Sequence, residues 1–143
     1  MLQLKDVQAH VTQLLTRYIS PDQLSLEERA SEAVIDADGE HGPTQVFEIA
    51  APGLKASITY VQQHCSTDSG ILELRGEAQR QGLFEELFYA TSRLAGQYGI
   101  NSVKVVPTGI AAMLDLEKVR ARRHLVGNTP QEGALRYEQG AKA

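Results

Sequence analysis

The sequence of 143 residues has few of the features that mark several classes of protein. It has a single cysteine, Cys65, which cannot form an internal disulfide, as is usual in a reducing compartment. No apolar run approaches the ~18 residues of a membrane-spanning helix, and the N-terminal MLQLKDVQAH lacks the basic and apolar regions of a signal peptide. We therefore expect a cytoplasmic protein that does not bind or cross a membrane.

Basic residues are too few for a general nucleic-acid binder. The 14 Lys and Arg against 18 Asp and Glu give a formal net charge of -4, whereas proteins that hold a phosphate backbone usually carry a basic excess. The four histidines and Cys65 have no ligand spacing, so we expect no structural metal site. Hydrophobic residues make up 42% and charged residues 22%, which is typical of a globular protein. We expect one domain over residues 1–143.

Hydrophobic periodicity predicts a chain of alternating helices and strands. Apolar residues recur at helical spacing in four segments: Leu4 to Tyr18, Ser25 to Val34, Leu83 to Tyr98 and Ile110 to Arg123. Short segments typical of strands are Thr44 to Ala50, Leu54 to Val61, Ile71 to Leu74, Val103 to Val106, His124 to Val126 and Ala134 to Tyr137. This order predicts an α+β fold with a mixed central β-sheet, helices on both faces and one helical crossover between parallel strands.

Two of these helices depend on short patterns. Residues 25–28, SLEE, have the form of a capping box, which predicts that a helix begins there. In the last helix, Ile110, Met113 and Leu114 share one face, which we take to be the packed face. Val119 falls on the opposite side of that helix.

The segment GEAQRQGLFEELF, residues 76–88, joins the third strand to the longest helix. A loop that ends at a helix N-terminus offers unpaired backbone N–H groups and a partial positive charge, which together favour anions. Gly82 has no Cβ to keep a ligand off the backbone, and Arg80 would add a full charge. The segment is therefore either an anion-binding loop or an ordinary strand-to-helix turn.

In its order of elements and in the run Gln79-Arg80-Gln81-Gly82-Leu83-Phe84, the chain resembles the GNAT acyltransferase superfamily. Members of that family bind acetyl-coenzyme A through a Gln/Arg-x-x-Gly-x-Gly/Ala signature. Gln79 and Gly82 match the signature, and Phe84 stands at its last small position. The resemblance implies that pantetheine lies along the edge of Leu72 to Leu74. It also implies that the diphosphate is held by the amides of Gln81, Gly82, Leu83 and Phe84, with Gln79 and Arg80 at its sides.

The resemblance further implies direct transfer of an acetyl group to an amine on a small molecule or a protein. A general base would take the proton of that amine, and the candidates are Glu73 and Glu77, which are otherwise plain solvated carboxylates. Many members carry a tyrosine on the last helix as the acid, and residues 111–123 contain none. The alternative function is a catalytically silent relative that binds another protein, such as an immunity, regulatory or virion-associated factor. A homodimer is also left open.

The basic run KVRARRH, residues 118–124, closes the last predicted helix. It would meet either the 3′-phosphate of coenzyme A or a nucleic-acid backbone. The other interpretation is a solvated helix end, where positive charge complements the helix dipole.

Overall fold

The structure is a computed structural model that describes residues 2–31, 34–36, 39–63, 70–100, 102–122 and 135–138. These residues form three α-helices: α1 (Leu4–Leu15), α2 (Leu83–Tyr98) and α3 (Ile110–Arg122). They also form seven strands: β1 (Ser25–Ser31), β2 (Val34–Asp36), β3 (Gly39–Ala51), β4 (Leu54–Gln63), β5 (Ile71–Ala78), β6 (Ser102–Thr108) and β7 (Leu135–Glu138). None of these helices is long and apolar enough to span a membrane.

The strands form one mixed sheet. Its order is β1-β3-β4-β5-β6-β7, and β2 pairs with β3 beyond the end of β1. Only β5 and β6 run parallel, and α2 is the crossover between them. The predicted α+β fold with a mixed sheet and a helical crossover is confirmed.

The described helices all pack on one face of this sheet. Phe47, Ile58, Leu74 and Val105 lie side by side across β3 to β6, and each is at most 1% exposed. The residues next to them along each strand are half-buried or exposed. Helix α2 contacts β5, β6 and both other helices, so the three helices form one layer. The prediction of helices on both faces is therefore wrong for the described residues, because only one face of the sheet is apolar throughout.

Residues 25–31 form an edge strand instead of the predicted second helix. Strand β1 pairs antiparallel with β3, with Leu26 opposite Ile49 and Glu27 opposite Glu48. Leu26 is half-buried on the helix side, whereas Glu27 and Arg29 are exposed on the other side. A segment this short fits both a helical and a strand period, and pairing with β3 selects the strand.

The remaining predicted elements that the structure describes are present, but β3 begins at Gly39 instead of Thr44 and β5 ends at Ala78 instead of Leu74. The hairpin forms from β3 and β4, and α2 has the predicted bounds and ends at Gly99, whose φ of 68° is typical of a left-handed helix cap. Strand β7 covers most of the predicted Ala134 to Tyr137 and pairs antiparallel with β6. The predicted strand at 124–126 and Cys65 lie outside the described residues.

Candidate functional site

A carboxylate of α3 binds the N-terminus of α2. Both oxygens of Asp115 accept the N–H of Gly82, at 3.0 and 2.9 Å. Its Oδ2 also accepts the N–H groups of Phe84 at 3.1 Å and Glu85 at 3.3 Å. Asp115 is fully buried, so no water competes for these bonds. A carboxylate here is stabilised by charge-assisted hydrogen bonds and by the helix dipole, which are the forces that would hold a diphosphate.

Tyr18 and Arg80 cover the loop that precedes α2. The guanidinium of Arg80 donates to the backbone oxygen of Tyr18 at 3.1 Å and lies 5.2 Å from the centroid of its ring. A Cβ at Gly82 would lie 2.8 Å from the Tyr18 hydroxyl, and the φ of Gly82 is +96°. Glycine is thus required here by its backbone conformation and by a contact within the chain.

Phe84 and Leu83 belong to the core. Phe84 is fully buried and Leu83 is 1% exposed, so the Phe84 ring does not project from the entrance of α2. The Gln79 N–H donates to the Gly53 oxygen at 2.8 Å, which joins the loop to the β3–β4 turn. The side chains of Gln79 and Gln81 are exposed.

Strand β5 has bonded neighbours on both sides. Leu72 and Leu74 are fully buried, and their backbones pair with β4 and β6. The parallel pairing with β6 runs without a break from Ile71 to Glu77. The backbone edge that the resemblance assigns to pantetheine is therefore an internal part of the sheet.

The two candidate bases lie on the other side of the sheet from α2. Glu73 accepts the Nε–H of Arg75 at 3.2 Å and lies 3.8 Å from the Lys104 ammonium. Glu73 and Glu77 alternate with the buried Leu72 and Leu74 along β5, so their side chains leave the opposite face. Residues 79–84 thus lie together at the start of α2, as predicted. Neither glutamate lies with them, because both side chains are on the opposite face of the sheet.

The prediction that Ile110, Met113 and Leu114 form the packed face of α3 is wrong, because the helix packs on the core with its opposite face. Ile110, Met113 and Leu114 are 78%, 48% and 45% exposed. The buried side of α3 consists of Ala112, Asp115, Leu116 and Val119. The bonds from Asp115 to α2 require this rotation. Sequence reasoning missed Asp115, although it stands at helical spacing in an otherwise apolar series, which is a signal for a buried, bonded carboxylate.

The three exposed residues form a continuous apolar surface, which we call the α3 stripe: Ile110, Met113 and Leu114. Residues three and four apart are neighbours on a helix surface, so the stripe is a single patch. These residues are the large hydrophobic side chains that are exposed in the described part of the chain. The exposed polar residues Thr108, Glu117 and Lys118 lie close to it in sequence.

The basic run beyond the stripe is only partly described. Lys118 is exposed, and Arg120 donates to the Glu117 carboxylate at 3.3 Å, one turn back on the same helix. Arg123 and His124 lie outside the described residues. The bonded Arg120 favours the interpretation as a solvated helix end.

A polar cluster joins the start of α1 to the end of α2. The Tyr98 hydroxyl donates to Asp6 and accepts the N–H of Gln3 at 3.0 Å, and His10 bonds to Gln97 at 2.7 Å. The hydrogen bond from Tyr98 lowers the pKa of Asp6 below its ordinary 3.8. Burial and the bond to Asp6 raise the pKa of Tyr98 above 10.0. The cluster ties the two helices together.

Neither a metal site nor a relative identifies the function. Among the described residues, no group of three or more His, Cys, Asp or Glu side chains could hold a metal ion. Comparison with known protein families and with curated proteins finds no match to this chain. The GNAT resemblance and its acetyl-coenzyme A site stay predictions.

Proposed function

We propose that the protein is a non-catalytic binding protein that contacts another protein through the α3 stripe. The observation that carries this proposal is the exposure of Ile110, Met113 and Leu114 on the side of α3 that faces away from the core. Contiguous exposed apolar residues are typical of interaction surfaces. Their i, i+3, i+4 spacing is that of a helix that lies in an apolar groove of its partner.

The size of the stripe sets a requirement for the partner. Complete burial of an aliphatic side chain contributes about 1.5–3 kcal/mol, so burying the exposed parts of these three contributes about 3–5 kcal/mol. Association itself costs about 4–15 kcal/mol. The partner must therefore also contact polar residues near the stripe, such as Thr108, Glu117 and Lys118, which would form the rim of the interface.

Two contacts favour this function over acetyl transfer. Coenzyme A would need free N–H groups at the start of α2, and those of Gly82 and Phe84 are bonded to Asp115. Displacing Asp115 would leave a buried carboxylate without its partners, which typically costs about 3–5 kcal/mol. Pantetheine would also need a free strand edge, and β5 is bonded on both sides.

A thermal unfolding experiment with acetyl-coenzyme A separates the two functions. A ligand at ~100 times its dissociation constant stabilises the folded state by about 2.7 kcal/mol. We expect no change in melting temperature at millimolar acetyl-coenzyme A. A rise of several degrees would contradict the proposal and favour the transferase.

The partner is tested with a variant of the stripe. We expect Ile110→Gln/Met113→Gln/Leu114→Gln to lose a protein that co-purifies with the unchanged chain from its source cells. The exposed Lys55→Gln on β4 is the control and should retain that protein. The control should keep the unfolding midpoint, and the stripe variant should lower it by only a few degrees, because the changed side chains are half-exposed or more. Equal capture by the stripe variant and the control would overturn the proposal.

A further inference from the structure

Strand β1 forms one end of the sheet order. Within the described residues, it pairs with β3 alone, over all seven positions from Ser25 to Ser31. The backbone groups on its other edge are therefore not bonded to a described strand. Such an edge is a template for a strand of another chain.

The charges on β1 are unbalanced within one chain. Glu27 and Arg29 lie on the sheet face away from the helices, and Arg29 binds Glu48 at 2.6 Å. Glu27 stands directly opposite Glu48, and none of the described residues forms an ion pair with Glu27. Like charges opposite each other across two strands are destabilising. Glu27 thus lies beside the carboxylate of Glu48 on β3. No described strand lies on its other side, where a positive charge could pair with it.

We propose that a second copy of this chain pairs its β1 antiparallel with the first β1, about a two-fold axis, to form one continuous sheet. In antiparallel pairing, residues whose backbone groups point outward meet residues of the same kind, so one residue lies opposite its own copy and the two-fold axis passes between the two. An axis between the two copies of Glu28, the middle residue, pairs all seven positions of the strand.

The same register matches the charges. With the axis at Glu28, Glu27 lies opposite Arg29 of the second copy, and the symmetry repeats this pair. An axis at Glu27 would set Glu27 against itself, and an axis at Arg29 would set Arg29 against itself. The register with the most backbone bonds is therefore also the one with two Glu–Arg pairs, whereas each of the two adjacent registers loses both pairs and sets Glu27 or Arg29 against its own copy.

The remaining like-charge contact is that of Glu28 with its own copy. Glu28 is exposed, and its Oε2 accepts a hydrogen bond from Gln45 at 2.9 Å. Water, salt and this bond reduce the repulsion between the two carboxylates. An isologous contact of this kind closes on itself and stops at two copies.

The test uses the full chain and two charge reversals. By sedimentation equilibrium, the unchanged chain should show a species of twice its 15.6 kDa mass. Glu27→Arg and Arg29→Glu each turn two attractive pairs into two repulsive ones, so each should weaken association by about tenfold or more. An equimolar mixture of the two variants should regain dimers, because every Glu–Arg pair is restored between unlike chains.

Controls separate this dimer from misfolding of the variants and from association through α3. Lys55→Glu makes the same charge change as Arg29→Glu on the same sheet face, but on internal strand β4, and should keep the dimer. Recovery in the mixture excludes misfolding of the single variants. A monomeric unchanged chain at millimolar concentration would overturn the proposal, and so would dimers that survive both reversals. Dimers lost only in the stripe variant would place the second copy on α3 instead.

Discussion

The two faces of α3 differ from the usual arrangement: one polar side chain lies on the buried face, and three large apolar ones lie on the exposed face. The buried face carries the carboxylate of Asp115, and the exposed face carries Ile110, Met113 and Leu114. A buried N–H group without a partner costs about 1–3 kcal/mol, and Asp115 binds the buried N–H groups of Phe84 and Glu85 and the part-buried one of Gly82. Burying the stripe would return about 3–5 kcal/mol, and it would expose Leu116 and Val119 on the other side. The gain at the stripe and the loss at Leu116 and Val119 are similar in size, so the hydrogen bonds of Asp115 decide which side of the helix is buried.

Removal of the carboxylate should have the largest effect on this balance. We expect Asp115→Ala to lower the free energy of unfolding by about 4 kcal/mol, because three N–H groups at the start of α2 lose their acceptor in a buried place. Urea unfolding measures the change. Asp115→Asn keeps one acceptor oxygen and should cost about half as much. Glu117→Ala, on the exposed side of α3, should stay within ~0.5 kcal/mol. Equal effects at 115 and 117 would contradict the role of Asp115.

Two leucines of α3 compare the faces directly. Leu116 is 4% exposed and Leu114 is 45% exposed. We expect Leu116→Ala to lower the free energy of unfolding by about 3 kcal/mol, through lost burial and a cavity. Leu114→Ala should cost about 1 kcal/mol, since nearly half of this side chain is already exposed to water. The same denaturation series measures both, and a larger loss at 114 would show that the helix is rotated as its periodicity predicts.

Asp6 can be compared with the buried Asp115, because Asp6 is a hydrogen-bonded carboxylate that stays in contact with water. Its folded pKa is depressed, chiefly by the hydrogen bond from Tyr98, so its contribution to stability is present above pH ~4 and is lost as pH falls through the folded pKa. The pKa of Tyr98 is raised, chiefly by burial, so its contribution is present below pH ~10 and is lost as pH rises through the folded pKa.

The pH dependence of unfolding tests this cluster. We expect Tyr98→Phe to reduce the loss of stability below pH ~4 and to remove the Tyr98 contribution to the loss above pH ~10. The effect should be smaller than that of Asp115→Ala, because the Asp6 pair is open to water. Unfolding midpoints across the pH range measure it. Parallel pH curves for Tyr98→Phe and the unchanged chain would contradict this account.

Elements with local signals could be predicted from the sequence. Helix α2 has the predicted bounds, because its apolar spacing continues for four turns and Gly99 ends it. The β3–β4 hairpin follows from alternating residues around a short turn. The seven residues of β1 have a weak local signal that fits two periods, and their partner strand lies beyond them in the chain. Whether these residues form a helix or a strand therefore depends on their pairing with β3, which the local sequence pattern does not show.

The candidate site divides in the same way. Gly82 could be predicted as the glycine at the start of a helix, because its position depends on the turn itself. The group that fills the helix entrance could not, since Asp115 is 33 residues away in the chain. The apolar residues of α3 were recognised, but their side was not, because the rotation of α3 depends on the contact of Asp115 with the distant start of α2.

By itself, the sequence determined the α+β class, the bounds of α2 and the position of a glycine-marked entrance to that helix. These depend on the spacing of nearby residues and on backbone conformation. Only the tertiary structure decided that a carboxylate of the chain occupies that entrance, that β5 has no free edge, and that apolar residues of α3 face water. Each of these depends on which distant groups meet, and a buried polar group is stable only where such a partner is present.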